Sequence, residues 1–166
     1  EDGKWIHYYE NGQIEKEGQF KDGNEDGKWI HYYENGHIEK EGNYINGLQK
    51  DGRWIHYYEN GEVKEKIYYN YGELYRSTSY TYYQNGQLEE EENYKDDMRN
   101  GQNIFYYQNG QIEKEGQFKD GNEDGKWIHY YSNGQKWKEG YYIDGQEDGE
   151  WTYYYFSGRI KEIKEY

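Results

Sequence analysis

Apolar and polar residues alternate along this chain in short runs, as in Lys28-Trp29-Ile30-His31-Tyr32-Tyr33 and Ile38-Glu39-Lys40-Glu41-Gly42-Asn43-Tyr44. Alternation with a period of two places successive side chains on opposite faces of a strand. No window has the three-to-four-residue apolar rhythm of an amphipathic helix, and no proline interrupts the runs. Each pair of runs flanks a turn dipeptide: Asn11-Gly12, Asn35-Gly36, Asn60-Gly61, Asn85-Gly86, Asn109-Gly110, Asn133-Gly134 and, last, Ser157-Gly158. Two β-favouring runs around Asn-Gly predict a hairpin with a type I′ turn. The turn predicts a register in which Tyr33 faces Ile38, His31 faces Lys40 and Trp29 faces Gly42, so that an indole covers backbone left bare by glycine in its own hairpin. Trp5 with Gly18 and Trp127 with Gly140 repeat that pattern.

The turns recur every 24 to 25 residues. A fixed period of this length signals an array in which each unit packs on its neighbours. The expected fold is all-β: an elongated single-layer antiparallel sheet of about seven consecutive hairpins, residues 1–166 forming one array. Hairpins two strands apart advance about 9.6 Å each, so seven would span roughly 65–70 Å. The chain opens inside a repeat at Glu1-Asp2-Gly3, and the array is therefore expected to be a fragment of a longer chain. Repeat four departs most: Ser79 replaces tryptophan, Glu92 replaces glycine, and the connector Asn70-Tyr71-Gly72 loses its Asp-Gly. Residues 11–33 and 109–131 are identical, which points to internal duplication and a function distributed along the array.

Composition narrows the partners. Aromatics are 21% of the chain and 25 of them are tyrosine, so an aliphatic core is replaced by rings that tolerate partial exposure. The net charge of −14 excludes nucleic acid and opposes anionic lipid, both of which are bound through surplus Lys and Arg. Without cysteine there is no thiol or disulfide chemistry.

Candidate chemistry is sparse. Asp22-x-Asn24-x-Asp26-Gly27 and Asp120-x-Asn122-x-Asp124-Gly125 open like a calcium loop, but Tyr33 and Tyr131 stand where its bidentate glutamate would close it. His7, His31, His56 and His129 share one repeat position; at about 9.6 Å spacing they cannot share a zinc ion, and Thr81, Phe105 and Tyr153 in the same position mark a packing slot. Glu15/Glu17 and Glu39/Glu41 lack the cleft and unlike environments that acid-base catalysis requires. No catalytic, cofactor or metal residue is assigned, and the chain is read as non-enzymatic.

The expected binding surface is the aromatic ladder Tyr8, Tyr32, Tyr57, Tyr82, Tyr106, Tyr130 and Tyr154, with Trp137, displaced to the opposite face by Lys136 in the sixth repeat, enlarging a local patch. Such surfaces serve protein interfaces and sugar stacking. The reading is a scaffold for protein interaction or assembly through aromatic faces and acidic edges, with a basic protein or the chain itself as partner. The alternatives are a self-assembling structural element and a neutralising binder or carbohydrate-stacking module.

Residues 2–23, Asp-Gly-Lys-Trp-Ile-His-Tyr-Tyr-Glu-Asn-Gly-Gln-Ile-Glu-Lys-Glu-Gly-Gln-Phe-Lys-Asp-Gly, resemble the MORN-repeat superfamily in its bacterial, antitoxin-like variant, and the likeness covers essentially the whole chain. The resemblance implies consecutive hairpins used for protein attachment, membrane-associated scaffolding or neutralising a partner toxin. The acidic charge argues against the phospholipid role.

Overall fold

The computed structural model describes residues 2–45, 47–49, 52–70 and 72–166, with 48 and 49 described by backbone alone. Glu1 of the opening tripeptide and Tyr71 of the fourth connector lie outside the described residues. The described residues form strands and turns and no helix.

The chain divides into two units, Glu1–Thr78 and Ser79–Tyr166. The first contains β1 (Gly3–Tyr8), β2 (Ile14–Lys21), β3 (Asn24–Tyr32), β4 (Ile38–Ile45), the short β5 (Leu48–Gln49), β6 (Gly52–Tyr57) and β7 (Val63–Asn70). The division falls within β8 (Glu73–Tyr82). The second contains β9 (Leu88–Lys95), the short β10 (Met98–Arg99), β11 (Gly101–Tyr106), β12 (Ile112–Lys119), β13 (Asn122–Tyr130), β14 (Lys136–Ile143), β15 (Gln146–Tyr154) and β16 (Ile160–Glu165). Within each unit the strands lie in chain order and pair antiparallel, with β5 and β10 as side pairings of β4 and β9. The division coincides with a change in sequence: Lys66-Ile67 stands where most repeats have Glu-Gly, and Ser79 where most have tryptophan.

The expected pairs Trp29 with Gly42, His31 with Lys40, Trp5 with Gly18 and Trp127 with Gly140 are present, but Ile38 faces Tyr32 instead of Tyr33. A bulge between His31 and Tyr32 absorbs the one-residue difference. Its cause is the turn. Gly36 N–H donates to Tyr33 O at 2.9 Å and Tyr33 N–H to His37 O at 2.8 Å, enclosing a three-residue loop with Gly36 at φ 84°. This is a type I turn followed by a left-handed glycine, the three-residue alternative to the expected type I′ hairpin. The type I′ geometry sits in the other connector, where Asp22 and Gly23 have φ of 51° and 80° between the paired Lys21 and Asn24. Asp120-Gly121 and Asp144-Gly145 repeat it.

In each unit one face of the sheet carries the core. In the first unit Trp29, Tyr44, Trp54 and Ile67 are buried, with Trp5, Phe20 and Tyr69 against them; in the second, Phe105, Phe118, Trp127 and Trp151 are buried, with Tyr142 and Tyr153. The rings meet edge to face, Phe20 to Trp29 at 5.4 Å, Tyr44 to Trp54 at 5.1 Å and Phe118 to Trp127 at 5.2 Å, a favoured arrangement for aromatic pairs. Burying an indole removes roughly 150–250 Å² from water, a gross gain of about 4–6 kcal/mol before entropy. A cross-strand pair contributes about 0.2–1 kcal/mol, so the buried tryptophans dominate.

Candidate functional site

The glycine under each buried tryptophan, Trp29, Trp54, Trp127 and Trp151, belongs to the preceding repeat. A Cβ built on Gly42 would lie 2.2 Å from Trp54 Cδ2, and one on Gly18 would lie 2.2 Å from Trp29 Cδ2. Gly116 and Gly140 stand in the same relation to Trp127 and Trp151. The expectation that Trp29 covers Gly42, its own hairpin partner, is thereby corrected: register pairs them, but the ring that fills the bare site comes from the next hairpin. Each indole is also tied to the preceding repeat by its N–H, Trp29 to Gln19 O at 3.2 Å and Trp54 to Asn43 O at 3.1 Å.

The opposite face carries the tyrosines proposed from sequence. Tyr32 Oη donates to Glu17 at 2.9 Å, Tyr57 to Glu41 at 2.9 Å, Tyr130 to Glu115 at 2.7 Å and Tyr154 to Glu139 at 2.5 Å. Every acceptor lies in the preceding repeat. Burial and then the glutamate bond push Tyr32 and Tyr57 up to about 12, and Tyr130 is raised by the same causes in the same order. For Tyr154 the Glu139 hydrogen bond leads, with burial second, to about 12. Burial alone would raise Glu139; hydrogen bonds from Lys136, Tyr154 and Lys126 overcome it and hold the carboxyl at about 2. Tyr106 is raised by burial and then by Glu91 and Glu115. Tyr82 occupies the same repeat position at the end of β8, and Tyr8, at the end of β1, is 54% exposed. The hydroxyls of Tyr32, Tyr57, Tyr130 and Tyr154 hold neighbouring hairpins together, a role beyond that of a binding surface.

A third set of contacts joins the turns. Tyr9, Tyr33, Tyr83, Tyr107 and Tyr131 hydroxyls donate to Tyr32, Tyr57, Tyr106, Tyr130 and Tyr154 carbonyls at 2.5–2.9 Å. Asn11, Asn35, Asn85, Asn109 and Asn133 donate Nδ2–H to carbonyls of the next turn, at 2.7–3.3 Å, while their Oδ1 accepts an N–H in their own. The Asn-Gly signature therefore encodes a link between turns as well as a turn.

His31 lies 6.4 Å from both Trp29 and Trp54, and His129 lies 6.2 and 6.3 Å from Trp127 and Trp151. Burial, with nearby lysines second, lowers both to about 4, so these imidazoles are neutral packing pieces. Asp22 and Gly23 form a two-residue turn that runs directly into β3, within which Gly27 has φ 71°.

Trp137 stands apart from the tyrosine ladder. Its ring lies 5.9 Å from His129 and 6.4 Å from Tyr131, on the face of the buried tryptophans, and it is 43% exposed. Tyr131 is in turn 5.2 Å from Phe156, itself 59% exposed. Other repeats place Glu15, Glu39, Lys64, Glu89, Glu113 and Lys161 at the position of Trp137. At the position of Phe156 they place Glu10, Glu34, Glu59, Gln84, Gln108 and Ser132. Phe156 was missed in the sequence, although this comparison between repeats would have found it.

A family model described as MORN repeat variant matches residues 1–22, 25–46, 50–71, 78–96, 99–120, 123–144 and 147–166. Repeats of this family are generally protein-interaction and scaffold modules. The match speaks for the repeat and carries nothing of the antitoxin-like role. No curated protein matches the chain.

Proposed function

Because the chain belongs to the MORN repeat variant family, we propose that it is a non-enzymatic scaffold that binds a protein through the aromatic patch of Tyr131, Trp137 and Phe156. The observation that carries this reading is the pair of substitutions at Trp137 and Phe156. Both positions are polar in every other repeat, so the hairpin fold does not require aromatic residues there. Exposed aromatic residues cost solubility, and clusters of them supply most of the binding energy at protein interfaces. Tyr131 and Phe156 are inclined by 62° and Tyr131 and Trp137 by 47°, a surface that suits an inserted side chain better than the flat ring of a sugar. The charge of −14 adds steering toward a basic partner.

The test replaces Trp137 and Phe156 by glutamate, the residue used at these positions elsewhere in the chain. Immobilised wild-type and W137E/F156E protein are exposed to extract of the native source at several salt concentrations. A protein retained by the wild type and lost with the variant, while both melt alike, supports the reading. Identical retention by the two would remove it.

A further inference from the structure

Four side-chain positions bind a repeat to the one after it. In the first repeat they are Tyr9 and Asn11, which donate to the next turn, Glu17, which accepts from Tyr32, and Gly18, which lies under Trp29. In the sixth they are Tyr131, Asn133, Glu139 and Gly140, serving Tyr154, Phe156, Tyr154 and Trp151. The pairs Trp151 with Lys164 and Thr152 with Ile163 fix the corresponding positions of the seventh repeat as Tyr155, Ser157, Ile163 and Lys164. Three of the four have changed.

Each change removes a contact that a following tryptophan-bearing repeat would need. A lone Cβ on Gly18, Gly42, Gly116 or Gly140 already comes within 2.2–2.3 Å of an indole carbon, and Lys164 brings a whole side chain, its Nζ 4.9 Å from the Tyr153 ring centroid. Ile163 offers no acceptor, so a tyrosine hydroxyl buried against it would go unpaired. Ser157 is too short to reach a neighbouring turn as asparagine does. The chain follows the same rule internally. In the second unit Glu92 fills the glycine position, and the next repeat carries Asn103, fully buried, where tryptophan would be. In the sequence, Ile67 fills it and Ser79 follows. A filled glycine position is always succeeded by a repeat that has given up its indole.

We infer that the outer edge of β16 is closed to a tryptophan-bearing repeat, and that this chain therefore does not add a second copy of itself head to tail, although β1 presents Trp5 and an exposed Tyr8. The edge is blocked by side chains and not by its backbone.

Restoring the missing groups tests this by gain of function. Sedimentation velocity of residues 1–166 should give a coefficient independent of protein concentration. S157N/I163E/K164G should sediment faster as concentration rises, and Trp5→Ala added to that variant should abolish the effect. Lys164→Gly alone is the second variant, keeping Ile163 and Ser157 so that only the glycine position is opened; it should associate more weakly and with the same dependence on Trp5. Circular dichroism establishes that each variant retains its strands. Folded variants that remain indifferent to concentration would overturn the inference, as would Trp5-dependent association of the unaltered chain.

Discussion

Replacing Gly42 by alanine adds one methyl group beneath Trp54, and the structure gives the consequence. The new Cβ would sit 2.2 Å from Cδ2, 2.4 Å from Cε2 and 2.5 Å from Cγ of the indole, against an ordinary carbon contact of about 3.5–4.0 Å. The ring must lift by more than about 1 Å, out of a site where it is 2% exposed, away from Tyr44 and from its bond to Asn43 O. Overpacking of this kind costs about 1–3 kcal/mol and a weakened hydrogen bond about 0.5–1.5. Gly42 does not have the positive φ that would penalise alanine, so the stiffer unfolded chain returns about 0.4–1 kcal/mol. The expected net loss is about 2 kcal/mol. Urea unfolding followed by far-ultraviolet circular dichroism reads it as a lower midpoint. A cycle then assigns the partner: Gly42→Ala should become neutral to slightly stabilising in a Trp54→Ser background, where only the gain from the stiffer unfolded chain remains, serine being the residue repeat four carries as Ser79, and should keep its full cost in a Trp29→Ser background. An unchanged midpoint, or relief by Trp29→Ser instead, would refute the packing of one repeat on the next.

Three further outcomes follow from the same contacts. Asn103→Trp alone should destabilise the second unit, because the register Ile104 with Glu91 sets residue 103 beside Glu92, whereas E92G/N103W should recover at least part of the loss in thermal unfolding. Glu139 has a lowered folded pKa of about 2, so its stabilisation is present above the unfolded value of 4.5 and is lost as pH falls from there toward 2; Tyr154→Phe should make that acid loss shallower and cost about 1 kcal/mol near neutrality. His129 is lowered from 6.5 to about 4, so the unfolded chain binds its proton first and stability falls as pH drops from 6.5 to 4; a His129→Gln variant should have a flatter melting profile across that interval.

The strand pattern, the repeat boundaries and the register of Trp29, His31, Gly42 and Lys40 were legible because alternation and Asn-Gly spacing are local signals. The choice of turn was not. Asn-Gly suits a two-residue loop, and the three-residue loop found at Asn35-Gly36 goes with a side chain that also reaches the neighbouring turn, a contact between repeats that local sequence does not reveal. The same reason explains the tryptophan. Its distance from glycine fits the partner in its own hairpin, but the ring leans over the strand on its other side, and only a folded array decides between them. The tyrosine ladder was visible as a surface, while the glutamates that take up its hydroxyls, 15 or 16 residues earlier, looked like a solvated flank.

The claim on which these expectations rest is that each indole lies over the glycine of the preceding repeat. Proton NMR of the 166-residue chain tests it directly, since a glycine Hα beneath an indole face is shifted upfield by the ring current. The account predicts upfield Hα resonances for Gly18, Gly42, Gly116 and Gly140, with cross-relaxation from Gly42 to Trp54 and loss of its shift in Trp54→Ser. An ordinary glycine shift, or cross-relaxation from Gly42 to Trp29 in place of Trp54, would contradict it.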